Sequence, residues 1–211
     1  DLVRSTSGGD TIDGGDGVDR VTYFFVNSAV TVDLNIQGIA QNTGGGGMDT
    51  LISIENVSGS EFNDTIIGDG NANLIAGNSG NDVLFGGGGD DLIFGDNAFV
   101  GNDYIDGGTG TDTVSYDPNG FEARTEGVFV NLQSGFAGTI SGGETDTLIG
   151  IENIIGTAFG DTITGDANDN VLSGLGGDDV IQGLGGADTI IYVLGEGADS
   201  IDGGDGNDVV R

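Results

Sequence analysis

A nine-residue frame recurs along the chain and constrains its fold more than any other feature: Gly-x-x-Gly-x-Asp, one variable residue, an apolar residue and one more. It reads GNSGNDVLF at 77–85, GGGGDDLIF at 86–94 and GGTGTDTVS at 107–115. In the second half it reads GLGGDDVIQ at 174–182, GLGGADTII at 183–191 and GGDGNDVVR at 203–211. Near the start, 14–22 and 44–52 follow the same frame. Degenerate units keep the phase. Residues 59–67 and 156–164 retain Asp64 and Asp161 but carry Phe in place of the second Gly, and 68–76 and 165–173 carry Asn73 and Asn170 where Asp would stand. The units at 95–106 and 192–202 are stretched and keep Asp103 and Asp199.

A longer period lies above this one. Asp49, Glu55 and Asp64 recur as Asp146, Glu152 and Asp161, each 97 residues later. The expected organisation is therefore an end fragment at 1–22, a connecting segment at 23–58, a repeat block at 59–115, a second connecting segment at 116–155 and a second block at 156–211. The chain opens with DLVR and closes with DVVR, as an array cut at one repeat phase would.

Each unit predicts a tight turn followed by a short strand. Glycine admits positive φ and close backbone approach, and the central apolar residue of the strand points inward while its neighbours face out. One apolar side chain cannot be buried by one unit, so units must stack, each strand pairing in parallel with the strand two units on. Stacking superimposes the acids. The expected rows are Asp64, Asp82, Asp103 on one edge and Asn73, Asp91, Asp112 on the other. In the second copy they are Asp161, Asp179, Asp199 and Asn170, Asp188, Asp208.

Composition turns this arrangement into a chemical question. Thirty-five Asp and Glu stand against four Arg (4, 20, 124 and 211) and no Lys, a formal charge of −31. Two carboxylates about 6 Å apart repel by roughly 3 kcal/mol at an effective dielectric near 20, and a divalent cation between turns reverses that sign. Calcium fits, because it accepts six to eight oxygens, carboxylate and carbonyl mixed, in forgiving geometry. Magnesium wants a tighter octahedron, and softer metals want nitrogen or sulfur ligands. Calcium at ten times its dissociation constant contributes about 1.4 kcal/mol per site. Six to eight such sites approach a domain's whole stability, on the order of 10 kcal/mol.

The same composition excludes other functions. Nucleic acid and anionic membrane surfaces both need Lys and Arg. With neither His nor Cys, Ser-His-Asp or Cys-His catalysis and ordinary zinc, haem or iron–sulfur sites are ruled out. No apolar run reaches the roughly 18 residues of a membrane span, and a basic-then-apolar leader is not seen.

The units resemble the RTX, or hemolysin-type calcium-binding, nonapeptide GGxGxDxUx. That resemblance implies an all-β, right-handed parallel β-roll with calcium held between turns i and i+2. It implies metal ligation by Asp10, Asp19, Asp49, Asp64, Asp82, Asp91, Asp103, Asp112, Asp146, Asp161, Asp179, Asp188, Asp199 and Asp208. The turn glycines Gly77, Gly80, Gly86, Gly89, Gly107, Gly110, Gly174, Gly177, Gly183 and Gly186 would supply backbone carbonyls. Roughly six to ten calcium ions are expected of such an array. Asn73, Asn170 and the stretched turns depart from the pattern. The resemblance also implies a large secreted or surface bacterial protein exported by type I secretion, a surface-layer or adhesin stalk, whose partners beyond calcium are neighbouring copies in a lattice or a cell-surface glycan. A repeat domain attached to a secreted enzyme or toxin, or a carbohydrate-binding module, is the alternative.

The connecting segments carry alternating runs, VTVDL at 30–34 and VFVNL at 128–132, which predict half-buried strands in an enlarged coil or hairpin on the side of the roll. Tyr23 and Tyr116 occupy equivalent places and read either as aromatic packing over the roll or as exposed binding residues. Glu55 and Glu152 read either as extra calcium ligands or as solvated, turn-forming residues. Asp69, Asp96 and Asp166 are expected to cap turns. Enzymatic action on an acidic polysaccharide would use paired acids, but nearly all acids here lie in phase with the repeat. Ice binding would need one fixed outward Thr or Asn per coil, whereas Val83, Asp91, Thr113 and Val180 differ.

Overall fold

The computed structural model describes residues 1–96, 101–117, 125–192, 195 and 197–211. Arg124, the side chain of Asp96 and parts of both stretched units lie outside the described residues. Among the described residues every regular element is a strand, most of them three to six residues long. No helix among them is long and apolar enough to cross a membrane.

The nonapeptide sets this geometry directly. Its three-residue strand repeats after each turn, and successive strands go to opposite sheets. Val83–Gly88 therefore pairs in parallel with Thr65–Ile67 behind it and Tyr104–Thr109 ahead of it. Leu92–Asp96 pairs with Leu74–Asn78 and Thr113–Ser115 in the facing sheet. Pairing between strands two units apart is what the repeat predicts, and it holds in both copies. Among the described residues two ten-stranded sheets and one of three strands result, and neither long sheet closes on itself. The chain is a parallel β-roll.

The core is two ladders of single aliphatic residues between the sheets. Ile66, Leu84 and Ile105 stack along one sheet, and Ile75, Ile93 and Val114 along the other. All six are fully buried. Ile154, Leu172 and Ile190 continue the second ladder into the next copy.

The connecting segments are built into the sheet itself. In the second copy Val128–Asn131 runs antiparallel to Phe136–Thr139, which runs antiparallel to Asp146–Ile149. The outer two of these strands pair in parallel with Thr162–Thr164 and Tyr104–Thr109. The segment is thus spliced between two repeat strands rather than placed on the side of the roll. Continuity of the sheet is the reason: a lateral hairpin would leave two facing edges with unpaired backbone groups. In the first copy the splice is incomplete. Ala40–Gly44 pairs with Gly47–Ile52, while an isolated Val30–Gly44 bridge and the Gln41 side chain reach Thr31–Asp33. The Gln41 Oε1 accepts the Asp33 N–H at 2.9 Å, and its Nε2 donates to the Asp33 carbonyl at 3.0 Å. Thr31–Asp33 and Val128–Asn131 are the half-buried strands that the alternating runs predict.

With one aliphatic residue per unit, the ladder has no slack. Leu84→Ala leaves a cavity between two flanking isoleucines and is expected to destabilise the roll by about 2–5 kcal/mol, measured by urea unfolding in excess calcium.

Candidate metal centres

At the sixth position of each unit the backbone passes from turn to strand, so its N–H points along the stacking axis toward the next turn of the same row. The carboxylate two turns on accepts that N–H. Asp64 N–H donates to Asp82 Oδ1 at 2.7 Å, Asp82 to Asp103 at 2.8 Å and Asp103 to Asp146 at 3.0 Å. On the other edge Asn73 donates to Asp91 at 2.7 Å and Asp91 to Asp112 at 2.8 Å. The second copy repeats both rows, Asp161 to Asp179 to Asp199 and Asn170 to Asp188 to Asp208. In the opening fragment Asp10 donates to Asp49 at 2.8 Å. The expected rows are therefore assembled, and a backbone amide occupies one oxygen of each of these acceptors.

The other oxygen separates two kinds of turn. In the first kind Oδ2 is buried with no hydrogen-bonding partner, as at Asp19, Asp82, Asp91, Asp112 and Asp188. These side chains are at most 2% exposed, and a buried carboxylate oxygen left unsatisfied is costly. The first glycine of each such turn lies against it. A Cβ on Gly77 would collide with Asp82 Oδ2 and approach the Gly95 carbonyl oxygen. A Cβ on Gly86 would strike Asp91 Oδ2 and the Gly107 oxygen, and one on Gly183 would strike Asp188 Oδ2 and the Gly203 oxygen. Gly107 and Gly174 face Asp112 and Asp179 in the same way. Each gap thus collects a carboxylate oxygen at a site from which glycine excludes a side chain, and in several the carbonyl of the turn two units on joins it.

These turns share one backbone signature, positive φ at the second and fourth positions. The fourth is Gly17, Gly80, Gly89, Gly110, Gly177 or Gly186, with φ between 94° and 144°. The second is Gly15, Gly87 or Gly108, but also Asn78, Leu175 and Leu184 at 66–75°. A leucine held there costs on the order of 1–3 kcal/mol.

In the second kind of turn the protein satisfies the acid itself. Asp64 accepts the Ser60 N–H and hydroxyl, and Asp161 accepts the Thr157 N–H and hydroxyl. Asn73 and Asn170 accept the N–H of Asp69 and Asp166 at 2.8 and 2.9 Å. Asp69 and Asp166 cap their turns as expected, accepting the N–H of Asn71 and Asn168. Asp49 and Asp146 also have protein donors on both oxygens: Tyr23 and Thr43 hydroxyls reach Asp49 Oδ2, and the Tyr116 hydroxyl reaches Asp146 Oδ2 at 3.0 Å. Tyr23 and Tyr116 are fully buried in the core, which removes them as exposed binding residues. Burial first, and the Asp49 charge second, push the Tyr23 hydroxyl well above its usual range.

Glu55 and Glu152 extend the rows. Their Oε2 atoms accept the N–H of Asp19 and Asp112, both at 2.8 Å, the role that Asp plays elsewhere in the row. The extra length of Glu spans a junction where no standard unit follows.

Among the described residues no three or more acidic side chains converge on one point, so a cation here would draw most of its ligands from carbonyl oxygens. That donor set suits calcium and suits softer metals poorly. Burial is also the first cause of raised carboxylate pKa values. Asp82 is pushed up to about 8 despite the Asp64 amide, with Asp103 and Asp64 charges adding to the rise. Asp91 and Asp179 are pushed up to about 6, again chiefly by burial.

The sign of the pH effect follows from these directions. In chelator the folded state holds protons that the unfolded chain, titrating near 3.8, has released. Metal-free stability is therefore greatest in acid and falls as pH rises toward about 8. In chelator any β signal in far-UV circular dichroism is expected to be confined to acid and to be lost as pH rises from 5 to 8, and Asp82→Asn is expected to weaken that pH dependence.

A protein-family model described as the RTX calcium-binding nonapeptide repeat matches residues 1–23, 54–84, 67–99, 77–114, 146–180, 155–190 and 193–211. These overlapping spans take in well over half of the chain. No curated protein matches it.

Proposed function

Since the chain belongs to the RTX calcium-binding nonapeptide repeat family, we propose that it is a structural module that folds and stiffens on calcium outside the cell. It would serve as part of a large secreted or surface protein, a surface-layer or adhesin stalk delivered by type I secretion. The observation that carries this reading is the set of buried, unpartnered carboxylate oxygens facing glycine-lined gaps. Asp19, Asp82, Asp91, Asp112 and Asp188 would each offer such an oxygen, Asp103, Asp179, Asp199 and Asp208 would continue the same rows, and carbonyls from the turn glycines would complete the shell.

Bound calcium supplies the positive charge that the rows lack. The residues themselves fix the spacing: amides lock one oxygen of each acceptor, and glycines hold the gap open. The net charge of −31 favours an expanded chain where calcium is scarce, which suits export before folding. The 97-residue period supports a stalk, because a tandem array lengthens by whole copies.

Far-UV circular dichroism during a calcium titration tests this reading, with magnesium as control. A disordered spectrum is expected to become β-rich at about 0.1–1 mM calcium, the range of extracellular modules, and to stay disordered in magnesium. A chain fully folded in chelator would overturn it.

A further inference from the structure

We infer that the turns 59–64, 68–73, 156–161 and 165–170 exclude calcium, because in each the second-position amide occupies the oxygen that a cation would need. The inference rests on the calcium-binding reading above and specifies which turns of the array it covers.

The two kinds of turn differ in backbone, not only in side chain. Ser60, Asp69, Thr157 and Asp166 hold the second position, and none has the positive φ of Asn78, Leu175 or Leu184 at the same place. Their N–H groups aim at the sixth-position oxygen, at 2.5 to 2.9 Å. Each side chain then accepts the fourth-position N–H: Ser60 from Phe62, Asp69 from Asn71, Thr157 from Phe159 and Asp166 from Asn168. A position-two acceptor that takes the N–H of a non-glycine fourth residue therefore marks the closed form; Asn78 carries an acceptor as well, but it precedes Gly80 and takes the positive φ of the open turns. In this form the gap presents an amide hydrogen to the carboxylate. A cation would meet that positive pole head-on, and turning the amide away would break two hydrogen bonds.

Asn73 and Asn170 carry the substitution one step further. Their Nδ2 groups donate to the Glu55 and Glu152 carbonyls at 2.7 and 2.8 Å. The carboxamide places a donor against a carbonyl oxygen that a cation would otherwise contact. Asn at these positions is thus a replacement for an ion, and each block begins with two turns that need none.

Calcium bound per chain, measured by atomic emission after equilibrium dialysis at saturating calcium, tests the assignment. Asp64→Asn sets a carboxamide NH2 against one of two amide donors, because the Val30 N–H reaches Oδ1 and the Ser60 N–H reaches Oδ2, so it is expected to lower stability but to retain the wild-type number of ions. Asp82→Asn is expected to lose one ion. The double substitution Ser60→Gly with Phe62→Gly restores glycine at both positions and is expected to gain one. Far-UV spectra in calcium check that each variant is folded. Loss of an ion from Asp64→Asn, as from Asp82→Asn, would overturn the assignment while leaving the calcium-binding reading intact. A folded wild-type chain that held no calcium would overturn both.

Discussion

The bond between a sixth-position amide and the carboxylate two turns on is the interaction on which the remainder depends. It fixes the axial spacing of the rows and orients each carboxylate. It also decides that only the second oxygen is left to be satisfied. Net hydrogen bonds of this kind, with a charged acceptor, are worth about 1.5–3 kcal/mol. The core alone is too thin to set the register so firmly, because a ladder of one aliphatic residue per unit tolerates rotation that a carboxylate in line with an amide does not.

From that constraint two solutions follow for the second oxygen. Where positions two and four take positive φ, the gap stays open and buried, and it fits a hard cation. Where a Ser, Thr or Asp at position two turns its amide inward, the protein closes the gap itself. The junctions use further closures of their own, Tyr23 with Thr43 on Asp49 and Tyr116 on Asp146. Buried hydroxyls there do the work of a donor without disturbing the ladder, and Glu55 and Glu152 carry the row across.

Much of this was legible in the sequence. The period of nine gave the stacking partner of the strands within each repeat block, and the placement of Val83-Leu84 or Leu92-Ile93 gave the inward ladder. The alternating runs marked Thr31–Asp33 and Val128–Asn131 correctly as strands, but not their place within the sheet, because that depends on which edge is available and not on periodicity. The two-way division of turns was hidden for a different reason. Leu175 and Leu184 take a left-handed conformation for which glycine is the usual signal, so composition at position two does not reveal φ. Its visible trace is the side-chain acceptor in Ser60, Asp69, Thr157 and Asp166. The role of Glu55 was equally out of reach, since an acid beside a row of acids reads either as a ligand or as a solvated, turn-forming residue until the amide of Asp19 is located.

The antiparallel splice has a mechanical corollary. Strands lie across the roll, so the bonds joining one turn to its neighbour in the same row point along its length. A pull on the two ends therefore loads the amide–carboxylate links in series, and an ion in an open gap spans the same interval in parallel with one of them. Closed turns and the spliced hairpin have no such second link. Extension would then begin at the junctions, where Asp33 is held to its neighbour through the Gln41 side chain, and a long array would yield copy by copy.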